Sequence, residues 1–472
     1  MDLQGLSLGD PLTSKRMPEC MSNNTPDERR LRSQAFDLKV SRRQFLALAG
    51  VALALPSIIP SRALGREDAP AASQRITLGL VGCGNMGTTN TEAFLALKEC
   101  QIVAACDVDK KHLENRVNLV NKHYQNHDCK SYHDFRELMG RTDIDAVMLA
   151  VPDHWHELVA VEAARHGKDI YGEKPLAHTI AEQQAMVAAV QANKRIWQTG
   201  SWQRSFANFH KAAEIVRNGL IGQVTRVEVG LPGGNNNSGN EARSMAPSEP
   251  PPELDYDTWM GPSKMMPYIQ GRTHRNWRWN YNTGGGQLMD WIGHHCDIAH
   301  WGCDFDNSGP SEVEGHGEFP PKDAVWNTAS KYRIELRYPQ DITMVIAGGY
   351  PEIRGGVKWI GTGGWVWVDR GSFEGSNEEW RDYRTLPDEL RKVRLYQSTD
   401  HHQNFLDCVK SRKPTITPIE TAHHSAIPGH LGLISMLVGR KLKWEVLTEK
   451  IPGDAEASEL LGRPYRPPWK LG

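Results

Sequence analysis

The 472-residue chain carries 55 Lys+Arg against 57 Asp+Glu, a formal net charge of −2, with 39% hydrophobic and 24% charged residues. This length accommodates two or three domains with real cores, and the balanced charge excludes a partner bound by bulk electrostatics, nucleic acid above all. Eight scattered cysteines without a C-x-x-C exclude a disulfide scaffold and a cysteine zinc ribbon. Tryptophan stands out at 15, above Tyr at 12 and Phe at 10, and supplies flat apolar faces for packing or for a ligand.

Ser41-Arg42-Arg43-Gln44-Phe45-Leu46 leads into an apolar run from Phe45 to Pro60, followed by the small-x-small site Ser61-Arg62-Ala63. The run is short and broken by Pro56, so no permanent membrane span is expected. A charged region, an apolar region and a cut site in that order read as a secretory signal, and the arginine pair is similar to a twin-arginine (Tat) signal. Residues 1–63 are therefore expected to leave on export through the twin-arginine machinery, giving a periplasmic or otherwise exported protein. Their removal takes nine basic and six acidic side chains and leaves 46 basic against 51 acidic, a net −5. That route carries folded proteins, so a cofactor can be loaded beforehand.

Residues 74–200 are expected to form a dinucleotide-binding domain. Ile76 to Val81 reads as a buried strand running into Gly82-Cys83-Gly84-Asn85-Met86-Gly87 and then a helix. This is G-x-G-x-x-G in its required context. The first glycine permits the turn, the second lets backbone approach a pyrophosphate, and the third lets helix and strand pack. Ile102 to Cys106 is a second strand, and Asp107 follows Gly87 by 20 residues, where a carboxylate holds a ribose 2′-hydroxyl and repels a 2′-phosphate. NAD is expected over NADP. Strand–helix alternation continues through Ala146–Val151, Pro152 to His156, Asp169–Tyr171 and Arg195–Thr199. It predicts a Rossmann-type, doubly wound parallel sheet with its ligand at the carboxyl ends of the strands.

Three further segments carry a resemblance. Glu173-Lys174-Pro175 follows the fifth strand, Pro152…His156 follows the fourth, and Gly284-Gly285-Gly286-Gln287-Leu288-Met289-Asp290-Trp291-Ile292-Gly293-His294 comes later. Together they resemble the Gfo/Idh/MocA (glucose–fructose oxidoreductase/inositol dehydrogenase) family over about residues 74–470. Pro152-Asp153-His154-Trp155-His156, Gln203-Arg204-Ser205 and Gly462-Arg463-Pro464-Tyr465 are closest to its exported members. The resemblance implies an oxidoreductase with a second, open-sheeted domain that often makes subunit contacts, and catalytic or substrate-orienting roles at Lys174, Asp290 and His294.

The pattern after residue 200 agrees. Val224–Leu231, Tyr332–Tyr338 and Ile342–Ile346 alternate, and Val357–Ile360 and Trp365–Val368 flank a glycine turn as a hairpin. Residues 201–420 are expected to be an α+β domain with an open, mostly antiparallel sheet, suited to a homodimer or homotetramer. Residues 421–472 are expected to pack back as a helix and tail, and 232–252 to form a long loop.

Asp290 and His294, at i and i+4, share a helix face. Oxidising a secondary alcohol removes hydride from carbon and a proton from oxygen, and histidine is the base closest to ambient pH. A neighbouring carboxylate orients the imidazole, and Lys174 hydrogen-bonds the same hydroxyl. Which of the three takes the proton is open, since they titrate as a unit. The flanking residues complete the expected site. Asp153, His156, Glu173 and Gln203 are expected on the cofactor side, and Trp155, Trp202, Arg204, Arg275, Trp277 and His295 at a sugar or polyol. The scattered histidines have no converging zinc spacing, so no metal is expected. The reading is an exported NAD-dependent oxidoreductase of sugars or glycosides with a tightly bound, recycled cofactor. The alternative is a glycosidase working by transient oxidation, elimination, hydration and re-reduction.

Overall fold

Ala146-Val-Met-Leu149 is apolar without alternation, and all four side chains are buried, the signature of a central parallel strand covered on both faces. It is β4 of a six-stranded sheet comprising β1 (Ile76–Val81), β2 (Cys100–Cys106), β3 (Lys130–Tyr132), β4, β5 (Asp169–Gly172) and β6 (Trp197–Thr199). The order is β3-β2-β1-β4-β5-β6 and every pairing is parallel. The computed structural model describes residues 71–235 and 246–472. The expected export signal, and residues 236–245 of the expected loop, lie outside the described residues.

One face of this sheet packs Leu78, Leu80, Phe94 and Ile102 together, the other Val147, Leu149, Val159, Ile170 and Met186. The strand order reverses between β1 and β4, which opens a crevice at their carboxyl ends. Gly82 and Gly87 make the first turn possible. Gly82 has φ +92°, and a Cβ there would stand 2.4 Å from the Ala150 carbonyl oxygen. A Cβ on Gly87 would stand 2.1 Å from the Gly82 carbonyl oxygen. A side chain at Gly82 would push the ends of β1 and β4 apart, and one at Gly87 would push the helix off the turn.

The second sheet has eight strands: β7 (Val224–Leu231), β8 (Glu312–Glu318), β9 (Lys331–Arg337), β10 (Thr343–Gly348), β11 (Gly356–Gly361), β12 (Gly364–Val368), β13 (Phe373–Gly375) and β14 (Leu442–Lys443). The order is β13-β12-β11-β7-β10-β9-β8-β14, antiparallel throughout except for the parallel β7–β10 pair. The expected hairpin is β11–β12. Strands β3, β8, β13 and β14 were not expected: β3, β13 and β14 are only two or three residues long, and Glu312–Glu318 is too polar to read as a strand. The long helix Gly286–Cys303 lies on this sheet, with Ile292, Cys296 and Ala299 packed against Val227, Val229 and Trp359. That packing carries Asp290 and His294 to the mouth of the first sheet.

Candidate active site

A cavity of about 820 Å³ opens at the carboxyl ends of the parallel strands and extends to the helix Gly286–Cys303. A second hollow, of about 990 Å³, lies at the strands' amino ends. There the charges are already paired, as in Arg141 with Asp143 and Arg412 with Asp169, so the chemistry belongs to the first cavity.

The cofactor end is built from backbone. Gly82, Gly84, Asn85 and Met86 line the cavity. A Cβ on Gly84 would meet nothing within 4 Å, so the loop faces open space. The helix Asn85–Leu95 starts there without a capping side chain, leaving first-turn N–H groups for an anion. Behind the loop, buried Arg116 donates to the Cys83 carbonyl at 3.1 Å and to Thr88 Oγ1. Asp107 lines the cavity and accepts from the Cys83 N–H at 2.6 Å and the Asp109 N–H at 2.8 Å. Burial raises its carboxyl above the usual range. An open cradle, an uncapped helix end and a carboxylate beside it fit a dinucleotide.

The chemical end is built from side chains. Lys174 Nζ donates to Asp290 Oδ1 at 2.9 Å and to the Asp290 carbonyl at 2.8 Å. Arg278 Nε donates to the same Oδ1 at 2.8 Å, its guanidinium 4.3 Å from the centre of the Trp277 ring. Burial acts to raise Asp290, but Lys174 and Arg278 outweigh it and hold the carboxyl well below the usual range. Close packing sets this contact, since a Cβ on Gly293 would stand 2.9 Å from Lys174 Cβ. His294 lines the same cavity. Its Nδ1 is buried with no hydrogen-bond partner among the described residues. Burial, Lys174 and Arg370 push it well below the usual imidazole value, so it is neutral at pH 7. The expected Asp290–His294 dyad is therefore replaced by a Lys174–Asp290–Arg278 cluster, with the neutral imidazole beside it.

Around these groups, Asp153 and Glu173 line the cavity as buried carboxyls. Glu173 Oε1 accepts from Asn90 Nδ2 at 2.9 Å, and burial raises it. Burial pushes Asp153 up to about 8, and its Oδ1 has no partner among the described residues. Trp202, Trp277 and the exposed Arg275 also line the cavity. Trp155 does too, but its indole is packed edge-on between Phe135 and Trp469, on the side of β3 rather than of Lys174.

Four expected contacts are corrected. Arg204 is 2% exposed and spent on Asp297 and Asp306, with contacts of 2.7–2.9 Å, so it is an internal ion cluster and not a substrate group. His295 points 100° around the helix from His294 and hydrogen-bonds the Gly230 carbonyl at 2.9 Å. His156 is held by the carbonyls of Val151 and Leu176 at 2.9 and 3.2 Å and does not line the cavity. Gln203 donates to the His294 carbonyl at 3.2 Å and accepts from Arg370 Nε at 3.1 Å, so it positions the site without facing it. Gly87 acts through packing alone.

Arg278 and Arg370 were not anticipated. Arg370, 4.7 Å from the Trp291 ring centre, comes from the turn after β12. No motif marks it; Arg278 had a signal in its place between Trp277 and Trp279. Among the described residues, two groups of side chains also have metal-ligand chemistry, Asp109–His112–His274 beside the cavity and His423–His424–Glu449. In the second, His423 Nε2 already meets Glu449 Oε1 at 2.7 Å as a hydrogen-bonded pair.

A family model described as "oxidoreductase family, NAD-binding Rossmann fold" matches residues 76–201, and a second, "oxidoreductase family, C-terminal alpha/beta domain", matches residues 207–471. A glycosyl hydrolase family 109 protein from Solibacter usitatus is 31% identical over 165 residues, 33% of this chain and 38% of that protein. One from Shewanella pealeana is 30% identical over 162 residues, 31% of this chain and 36% of that protein. The chain thus spans well under half the length of these curated relatives. Among solved structures, a WlbA dehydrogenase from Bordetella pertussis in complex with NADH and UDP-GlcNAcA aligns with a TM-score of 0.59 at 17% identity, covering 80% of this chain and 99% of that one. An aldose–aldose oxidoreductase from Caulobacter crescentus aligns with a TM-score of 0.56 at 18% identity, covering 78% and 99%. At such identities the likeness is one of fold. With both of its domains matched, the chain belongs to the NAD-binding Gfo/Idh/MocA oxidoreductase family.

Proposed function

We propose that this protein oxidises a secondary hydroxyl of a sugar or glycoside, with NAD held in the cleft. The observation that carries this reading is one cavity holding both the glycine cradle and the Lys174–Asp290–Arg278 cluster with a neutral His294. Gly82, Gly84, Asn85, Met86 and Asp107 would hold the dinucleotide, which supplies the hydride acceptor when bound. Asp290 is too acidic to take the hydroxyl proton, and Lys174 is its cationic partner. His294, a neutral imidazole whose Nδ1 has no partner among the described residues, is the acceptor this reading assigns, while Lys174 donates to the substrate oxygen and stabilises its developing negative charge. Trp202 offers a face for the apolar C–H side of a sugar, whereas Trp277 is buried with Arg278 over its ring and backs the site. Asp107 favours NAD over NADP.

The names of the curated relatives favour a second reading, net glycoside hydrolysis. A ketone formed transiently on the sugar acidifies the neighbouring C–H. A base removes that proton, the glycosidic oxygen leaves with one, water adds, and the ketone is reduced again. Because export is expected from residues 41–63, the cofactor is proposed to travel bound and to be recycled in place, in a homodimer or homotetramer formed on the second sheet.

The test is a panel of sugars and glycosides mixed with the purified, cofactor-loaded protein and read by nicotinamide absorbance and by product analysis. Stoichiometric reduction by a sugar, with turnover only when an acceptor is added, supports the dehydrogenase. Aglycone release without an acceptor supports the hydrolase. No absorbance change and no product with any member of the panel overturns both.

A further inference from the structure

The segment Gly462–Gly472 crosses the dinucleotide domain, and nothing in the proposed chemistry uses it. It is tied down along its length. Arg463 Nε donates to Glu182 Oε1 at 2.7 Å, and its Nη2 donates to the His154 carbonyl at 3.0 Å. The Tyr465 hydroxyl sits 2.8 Å from Glu157 Oε2 and 2.9 Å from Glu182 Oε1. Arg466 Nε donates to the Gly261 carbonyl at 2.9 Å and its Nη1 to Asp257 Oδ1 at 2.7 Å. The Gly472 N–H donates to Glu157 Oε1 at 2.9 Å.

Between these anchors, Trp469 is half-buried and lines the cavity. Its ring meets Trp155 edge-on at 4.9 Å, and the Arg136 guanidinium lies 5.5 Å from its centre. Trp155 is itself fixed, donating from Nε1 to the Trp259 carbonyl at 3.0 Å. The position of this corner follows from the sheet. Asp107 follows β2, Lys174 follows β5, and Phe135 and Arg136 follow β3 at the opposite edge. A dinucleotide with its pyrophosphate at Gly84 and a ribose at Asp107 sends its adenine toward β3 and its nicotinamide toward β5. Three aromatic side chains and a guanidinium at the β3 corner match a flat, uncharged purine.

We propose that the strap Gly462–Gly472 is part of the dinucleotide site, with Trp469 forming a wall of the adenine subsite and the Arg463–Tyr465–Arg466 anchors holding it closed over the cofactor. This rests on the NAD reading above. It explains how a cofactor stays bound through export, because the strap must lift before the adenosine half can leave.

The test measures binding of NADH, ADP and nicotinamide mononucleotide to the full chain by fluorescence titration, and NADH release by stopped flow against excess NAD. Trp469→Ala is expected to weaken NADH and ADP at least tenfold and to speed NADH release. Nicotinamide mononucleotide binding should not change, and Trp469→Phe should restore most of the loss. Arg463→Ala should speed release in the same direction. ADP binding to Trp469→Ala at wild-type strength overturns the proposal while leaving the NAD reading intact. A wild-type chain that binds neither NADH nor ADP overturns both.

Discussion

The two ends of the cleft are made by different physics. The dinucleotide end is local: Gly82, Gly84 and Asp107 fall in one strand–helix–strand unit, and its groups are backbone N–H, an open turn and one carboxylate. The chemical end is assembled at long range. Lys174 and Asp290 are 116 residues apart and meet because Gly293 lets the helix of one domain lie against the lysine of the other. A backbone cradle tolerates drift in most of its side chains. A half-buried charge cluster does not, because removing one member strands the others.

That contrast can be broken most sharply at Lys174. Lys174→Ala is expected to lower kcat at least about 10³-fold, about 4 kcal/mol in barrier, with NADH affinity unchanged; parallel loss of affinity would show that the two ends are not separable. Next comes Arg204, which lies in neither end. Arg204→Ala leaves the buried Asp297 and the half-buried Asp306 without their partner and should cost about 3–4 kcal/mol in denaturant unfolding. The KM for sugar should stay constant, whereas a raised KM at unchanged stability would return Arg204 to the substrate.

Acid pH should separate the chemistry from the scaffold. Burial holds His154, His300, His401 and His430 at about 3. The unfolded chain binds protons at these positions below about 6.5 and the folded chain does not. Stability therefore falls as pH drops from about 6.5 toward 3, by about 1.4 kcal/mol per group per pH unit. His294, also depressed, stays a free base over the upper part of that window. Initial rates on intact protein should stay flat from pH 7 to 6 while the melting temperature already declines. A rate that falls in step with protonation near 6.5 would contradict the depressed imidazole. The smallest effect is expected at the cofactor end. Asp107→Asn keeps one acceptor for its backbone partners and should weaken NAD about tenfold, about 1.4 kcal/mol, with a relative gain for NADP, read by titration of both.

Legibility followed the same divide. The glycine turn, Asp107 and the i, i+4 pair Asp290 and His294 stood out because their spacing has a physical requirement behind it, whereas Lys174 was marked by the family resemblance. Neighbouring residues misled where proximity in sequence stood in for direction in space. His295 adjoins His294 but faces Gly230, Arg204 follows Trp202 but turns inward to two aspartates, and His156 is taken up by the carbonyls that flank it. Arg370 and Trp469 reach the cavity from distant turns, and no local pattern announces a side chain whose role is set by the element it packs against.

Sequence alone determined the parallel nucleotide-binding sheet, its glycine cradle and the acidic residue beside it, because hydrophobic period and glycine sterics act over a few residues; that lysine, aspartate and histidine share one site was implied by the family resemblance. Tertiary structure decided how those groups are used. It gave Asp290 to Lys174 and Arg278 rather than to His294, and it left that imidazole neutral. It also took Arg204 out of the site and brought Arg370 and Trp469 in. Charge state and direction depend on burial and on partners that the chain meets only after it has folded.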